Sequence, residues 1–189
     1  TPTAVSGVCS HLDWVTATRE AGYKAVTGAV AYCLASLPRE QRPDPYKDCT
    51  GADDCHQIWP EELERRIRPW RMKDGSNWTE HDPSGEVIMI PTAGALPCFA
   101  ESEAEPDVSH TQCDAEDNDV DAFVRDLQRA VEARDGEVVY TYYVVWSMGQ
   151  TPDLEQLEYL FEQVQPMIDD GTVQWATVDD MIEAYEASE

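Results

Sequence analysis

The chain reads as an α/β fold with a mainly parallel sheet, flanking helices and long disulfide-bearing loops. Three observations lead there. Short apolar, β-branched runs alternate with amphipathic stretches, in the order β-α-β, a long loop with a short helix, β, loop, then α-β-α-β-α. The runs K-A-V-T-G-A-V-A-Y-C (24–33) and E-V-I-M-I-P (86–91) are nearly continuous, as in strands buried on both faces. Six cysteines fall in or beside segments rich in Pro, Asp and Gly.

T-A-V-S-G-V-C (3–9) is short and β-branched, and predicts a strand. Ser10 stands as cap for a helix over 11–21, with Leu12, Val15 and Ala21 apolar and Gly22 as its stop. With the run at 24–33 this makes a β-α-β unit. The pattern breaks between 37 and 85, where Pro, Asp and Gly mark a loop excursion. Inside it P-E-E-L-E-R-R-I (60–67) predicts a short helix, with Pro60 in the first turn and Glu61 and Glu62 at the positive end of the dipole. A third buried strand at 86–91 ends at proline, and 92–116 is again loop. Val120, Phe123, Val124, Leu127 and Val131 recur at helical spacing before Gly136. E-V-V-Y-T-Y-Y-V-V-W-S (137–147) predicts a strand. Residues 153–171 predict a helix that Pro166 kinks or ends. T-V-Q-W-A (172–176) predicts a short strand, and 177–186 a helix capped by Thr177 with Asp180 three residues on. Five strands do not close an eight-stranded barrel, so the sheet is open or the chain is part of a barrel. The organisation expected is one α/β domain over 1–189, or the C-terminal part of a larger barrel.

The 38 Asp and Glu against 13 Lys and Arg set a formal net charge of -25. Such a field repels nucleic acid and anionic membranes, which are discounted as partners. A carboxylate-rich, lysine-poor surface also suits high salt, where screening shortens self-repulsion, so the composition hints at a halophilic setting. No apolar run reaches the roughly 18 residues that span a bilayer. The chain opens T-P-T-A-V, without a charged n-region or apolar h-region, as a mature, processed or excised start would. Cys9, Cys33, Cys49, Cys55, Cys98 and Cys113 include no C-x-x-C pair, which argues against zinc-ribbon or thioredoxin chemistry. An even count among loops favours disulfides and an extracellular or cell-surface location, against the alternative of buried free thiols. The pairing expected is Cys49–Cys55 and Cys98–Cys113, each closing a polar loop, with Cys9–Cys33 remaining. Asn77-Trp78-Thr79 matches a glycosylation sequon.

Sites in parallel α/β folds gather at the carboxyl ends of strands. There the sequence puts Cys9, Ser10, His11 and Asp13; Tyr32 and Cys33; Pro91 and Thr92; Trp146, Ser147 and Met148; and Ala176 and Thr177. His11 and Asp13 are catalytic candidates, as metal ligands or an acid/base pair. The bland alternative is a helix first turn. His56, His81 and His110 lie in polar loops without metal spacing. G-x-S-x-G is absent. Asp117, Asp119 and Asp121 alternate as in a calcium loop, but Ala122 and Gln128 stand where Gly and Glu are needed, which leaves an acidic helix start. Trp59, Trp70 and Trp78, with Tyr46, make either an aromatic platform for sugar rings or a core beneath the long loop. Five of the 13 basic residues, Arg65, Arg66, Arg68, Arg71 and Lys73, fall within nine positions. With so many carboxylates available, Arg68 and Arg71 are expected to turn inward to carboxylates and anchor the excursion over the sheet's functional end.

A-G-Y-K-A-V-T-G-A-V after a helix, R-P-W-R-x-x-x-G-x-N-W and G-E-V-I-M-I-P resemble the second half of a polysaccharide deacetylase-like domain. G-T-V-Q-W-A-T-V-D-D-M-I-E-A-Y is similar to that group's closing strand and helix. The resemblance covers about 22–34, 66–91 and 137–187. It implies an irregular (β/α) barrel, a divalent metal such as zinc, and removal of acetyl groups from sugar polymers. The family's paired Asp at its first strand end and its H-x-x-x-H pair do not occur here. Its Arg before Pro, which orients the base, is matched by Arg68-Pro69 or by Arg71. Its Leu-x-His is replaced by Trp146 or Ser147, which with Trp70 and Trp78 are the candidates for substrate contact. No metal ligand set can be assigned from motifs. Two expectations follow: an exported carbohydrate-active domain that is partial or degenerate, or a non-catalytic extracellular or cell-surface domain that acts by binding or assembly; the partner expected is a carbohydrate or cell-surface component.

Overall fold

The structure is a computed structural model and describes residues 2–7, 9, 13–49, 55, 59–95, 120–136, 139–145 and 154–189. It is mixed α/β with a mostly parallel sheet. The chain forms two compact units, Thr1–Ala93 with Asp135–Tyr143 and Ala176–Glu189, and Gly94–Arg134 with Val144–Trp175. The sequence pattern does not separate them.

The first unit opens with β1 (Ala4–Ser6), α1 (Trp14–Glu20) and β2 (Ala25–Thr27). Three 3₁₀ turns follow at Ala31–Ser36, Arg39–Gln41 and Asp44–Tyr46, then the single-turn α2 (Leu63–Arg66). β3 (Trp70–Met72) and β4 (Val87–Ile90) complete a four-stranded sheet in the order β1-β2-β4-β3. β1, β2 and β4 are parallel, with Val5 opposite Val26 and Val26 opposite Met89. β3 runs antiparallel at the edge, Arg71 opposite Ile88.

Successive side chains of a strand point to opposite faces, and both faces of this sheet are covered. Val26, Val87 and Met89 face a core with Trp14, Val15, Leu34, Trp59, Trp70 and Trp78. Ala25, Ile88 and Ile90 pack instead with Ile182 and Tyr185 of the last helix (Val178–Ser188). A strand sandwiched this way cannot alternate polar and apolar residues, which accounts for the run V-I-M-I.

Several boundaries differ from the sequence reading. The apolar run at 24–33 is not one strand. It leaves the sheet at Thr27 because Gly28 has φ +82°, a left-handed conformation, and the chain then winds into the 3₁₀ turn. α1 is capped by Asp13, whose carboxylate accepts from Thr16 N–H at 3.0 Å, and it begins at Trp14. Pro60 precedes α2 and is not in its first turn. β3 is an additional strand.

The second unit contains α3 (Val120–Glu132) and α4 (Leu154–Asp169), which bury Val120, Val124 and Leu127 of the first and Leu160 and Val164 of the second. The Tyr159 hydroxyl donates to Asp121 at 2.9 Å. α4 runs through Pro166 without ending there. Residues 172–176 are irregular and not a strand: Thr172 N–H is held by the Asp170 carboxylate, and Trp175 is 68% exposed. α5 (Val178–Ser188), which belongs to the first unit, has the expected cap, Thr177 and Asp180 bonding reciprocally. β5 (Thr92–Ala95) and β6 (Tyr143–Val145) pair as a two-stranded sheet, and residues 139–142, expected to belong to the same strand, lie outside it. No closed barrel forms among the described residues. Among the described residues no helix is long and apolar enough to cross a membrane.

Candidate functional site

The carboxyl ends of β1, β2 and β4 deliver Ser6, Gly28 and Thr92 to one edge of the parallel sheet. A Cβ built on Gly28 would lie 3.1 Å from Ser6 Oγ and 3.8 Å from Thr92 Oγ1. Gly28 thus serves twice here, permitting the turn out of β2 and leaving the space between two hydroxyls. Thr92 is 2% exposed, and its Oγ1 is buried with no hydrogen-bond partner among the described residues. A disulfide between Cys9 and Cys33, with Cα atoms 4.8 Å apart, ties the segment after β1 to the 3₁₀ turn after β2. The expected pairing of Cys49 with Cys55 is also present. Cys98 and Cys113 lie outside the described residues.

Asp13, a catalytic candidate, is occupied structurally. Its Oδ1 accepts from Thr16 N–H at 3.0 Å and from Gly75 N–H at 2.7 Å, and its Oδ2 accepts from the Thr16 hydroxyl at 2.7 Å. Burial works to raise this carboxyl, but the hydrogen bonds from Thr16 and Gly75 and the charge of Arg19 outweigh it and hold it below the usual value. Both oxygens of Asp13 are engaged in holding the start of α1 and the Gly75 turn, which gives it a structural place. Gly75 is required by the same contact, since a Cβ there would fall 2.8 Å from Asp13 Oδ1. His11 lies outside the described residues, as do Trp146, Ser147, His56 and His110.

Two members of the basic cluster, Arg68 and Arg71, pair with carboxylates of the protein, while Arg66 Nε is buried with no hydrogen-bond partner among the described residues. Arg71 Nε donates to both carboxylate oxygens of Glu189, at 2.9 and 2.7 Å, and Nη2 adds a further bond to the same group. The guanidinium also lies 5.9 Å from the Tyr185 ring centre. The hydrogen bond from Arg71 holds the Glu189 carboxyl below its ordinary range against partial burial. Burial, followed by the Glu189 charge, pushes the Tyr185 hydroxyl up to about 12. Arg68 pairs with Asp135 at 3.0 Å and lies 5.5 Å from the Tyr140 ring centre. Arg65 sits 5.2 Å from the Trp59 ring centre and donates to Thr79 O at 3.1 Å. The expected carboxylate partners are found, but their place is not the sheet's functional end. Arg71 sits on the edge strand β3 and holds α5, while Arg68 is exposed. Neither arginine touches the Ser6–Gly28–Thr92 edge in any hydrogen bond or ion pair described here.

Trp70 and Trp78, expected to contact substrate, are core residues, and the aromatic platform is corrected accordingly. Trp78 has no exposed surface and meets Trp14 and Trp59 edge-on, with ring centres 5.3 and 4.9 Å away. Its Nε1 donates to Ser36 Oγ at 3.0 Å, and Trp70 Nε1 donates to Trp78 O at 2.7 Å. With both rings buried, neither offers a face to a sugar. His81 takes a structural place too: its Nδ1 accepts from Arg71 N–H at 3.3 Å, and Asp82 N–H donates to Arg71 O at 3.0 Å. Together they satisfy the outward backbone groups of the edge strand.

The resemblance implies a divalent metal; among the described residues no three His, Cys, Asp or Glu side chains converge as a metal site. Thr92 is among the strand-end residues the sequence puts there; the part of Gly28, which interrupts the second apolar run, and the burial of the Thr92 hydroxyl show only in the fold. Fold and site define a mixed α/β protein with a mostly parallel sheet, two disulfides and a hydroxyl-bearing strand-end edge. Comparison with family models, curated proteins and solved structures returned no match.

Proposed function

We propose that this chain is an exported, carbohydrate-directed domain on a deacetylase-like scaffold, a partial and irregular (β/α) barrel that takes its ligand at the carboxyl edge of β1, β2 and β4. The observation that carries this reading is the strand-end edge itself, where Gly28 leaves room between the exposed Ser6 hydroxyl and the buried, unpartnered Thr92 hydroxyl. Leaving such a group without a partner costs about 1–3 kcal/mol. Sugar hydroxyls both donate and accept, so they suit an edge whose own polar side chains are hydroxyls. Two disulfides support an oxidising compartment. The test is titration of the purified protein with acetylated chitin and xylan oligomers, followed by NMR, with Thr92→Val as control. Saturable binding lost in the variant supports the reading; no binding by either protein refutes it.

A second reading, a non-catalytic binding or assembly domain, is favoured by the engagement of both Asp13 oxygens. Acetate release from the same oligomers, together with stoichiometric tightly bound Zn, Co or Ni, would refute it. Oligomer binding without acetate release would favour it over a deacetylase.

A further inference from the structure

We infer that Asn77 is a site of N-linked glycosylation. Asn77, Trp78 and Thr79 form the sequon, and the fold presents its three side chains differently. Trp78 is fully buried, with its indole N–H on Ser36 and its carbonyl accepting from Trp70. This clamps the middle of the tripeptide to the core. Asn77 beside it is exposed, at the junction of two turns: Asn77 N–H reaches Asp74 O at 3.5 Å, and Glu80 N–H reaches Asn77 O at 3.3 Å. Among the described residues the Asn77 side-chain amide has no hydrogen-bond partner, so modifying its nitrogen breaks no bond of the fold. Thr79 is tied through its carbonyl, to Arg65 at 3.1 Å, which leaves the hydroxyl that a glycosyltransferase reads. A chance sequon carries no requirement for an outward, unengaged Asn on a loop pinned from below, and this one has both.

The transfer requires a lipid-linked oligosaccharide as donor. The Asn77 amide nitrogen forms a bond to the anomeric carbon, the bond from that carbon to the lipid phosphate oxygen breaks, the lipid phosphate leaves, and the amide proton passes to solvent. The glycan then extends from the loop between β3 and β4 into solvent, adding an uncharged hydrated surface to an acidic chain.

The inference rests on the export reading, and one experiment separates the two. The full chain is secreted through a eukaryotic secretory pathway, its thiols are counted, and the peptide containing Asn77 is analysed by mass spectrometry before and after enzymatic glycan release. Glycan on Asn77, conversion to Asp on release, loss in Thr79→Ala and retention in Thr79→Ser are the expected results. Asn77→Gln checks the fold independently: it should be secreted with the same disulfides and no glycan. Secreted, disulfide-linked protein with a bare Asn77 overturns the glycosylation and leaves export intact. Free thiols at Cys9, Cys33, Cys49 and Cys55 overturn export itself.

Discussion

Replacing Trp78 with Ala separates an aromatic core from an aromatic binding platform. The indole is fully buried, packs edge-on against Trp14 and Trp59, and donates to Ser36. Truncating a buried Trp costs about 3–5 kcal/mol once the cavity is included. The edge-on pairs and the Ser36 bond place this site toward the upper end of that range. Domains have only about 5–15 kcal/mol to lose. With a urea dependence of about 2 kcal/mol per molar, the midpoint should fall by about 2 M with an unchanged slope. Trp78→Phe keeps most of the ring volume and should fall less. Trp175→Ala, at a position 68% exposed, should shift stability by under about 0.5 kcal/mol. Urea unfolding followed by circular dichroism, with disulfides intact, gives all three values. A Trp78→Ala midpoint within about 0.5 M of the parent would refute the core assignment.

Substitutions at two further positions test the hydrogen-bonding account. Asp13→Ala should cost about 1 kcal/mol for the lost cap, with a further penalty for the stranded Gly75 N–H. The folded Asp13 carboxyl lies below its unfolded value, so its contribution is present above pH ~4 and lost as pH falls through the folded value. The stability difference between the parent and Asp13→Asn should therefore shrink on acidification, and a difference that grows would refute the assignment. Arg71→Gln should cost at most about 1 kcal/mol, because the pair is partly exposed, at 19% and 32%. The Glu189 carboxyl is also held below its unfolded value, so this difference too is present near neutral pH and lost on acidification. Chemical unfolding of both proteins across the acid range measures it.

Much of the framework was legible because it rests on local signals. The opening β-α-β unit follows from an apolar run, a helical period and Gly22. The reciprocal bonding of Thr177 and Asp180 follows from their spacing. The Cys49–Cys55 pair follows from a short polar loop. The errors come from signals that local sequence does not resolve. A continuous apolar run fits a buried strand or a buried turn, so 24–33 concealed the exit at Gly28. T-V-Q-W-A has strand composition, but its backbone is held by Asp170 and by Met167 O, leaving no ladder to join. β3 spans three residues inside a run of arginines and is defined by its neighbour, with Trp70 opposite Met89. Which strand-end residues are engaged depends on long-range contacts. Asp13 owes its second bond to Gly75, which is distant in sequence.

Within R-P-W-R-x-x-x-G-x-N-W nearly every fixed position has a packing or bonding role. Trp70 donates to Trp78, Trp78 to Ser36, and Gly75 fits against Asp13 where no side chain has room. Arg68 and Arg71 pair with Asp135 and Glu189. Asn77 faces solvent, and its side chain has no hydrogen bond among the described residues. Residues that hold one another in this way have packing roles of their own, and such roles say little about chemistry. Any ligand contact would fall to residues the scaffold does not consume, and among those described the exposed Ser6 stands at the strand-end edge beside Gly28 and the unpaired, buried Thr92 hydroxyl.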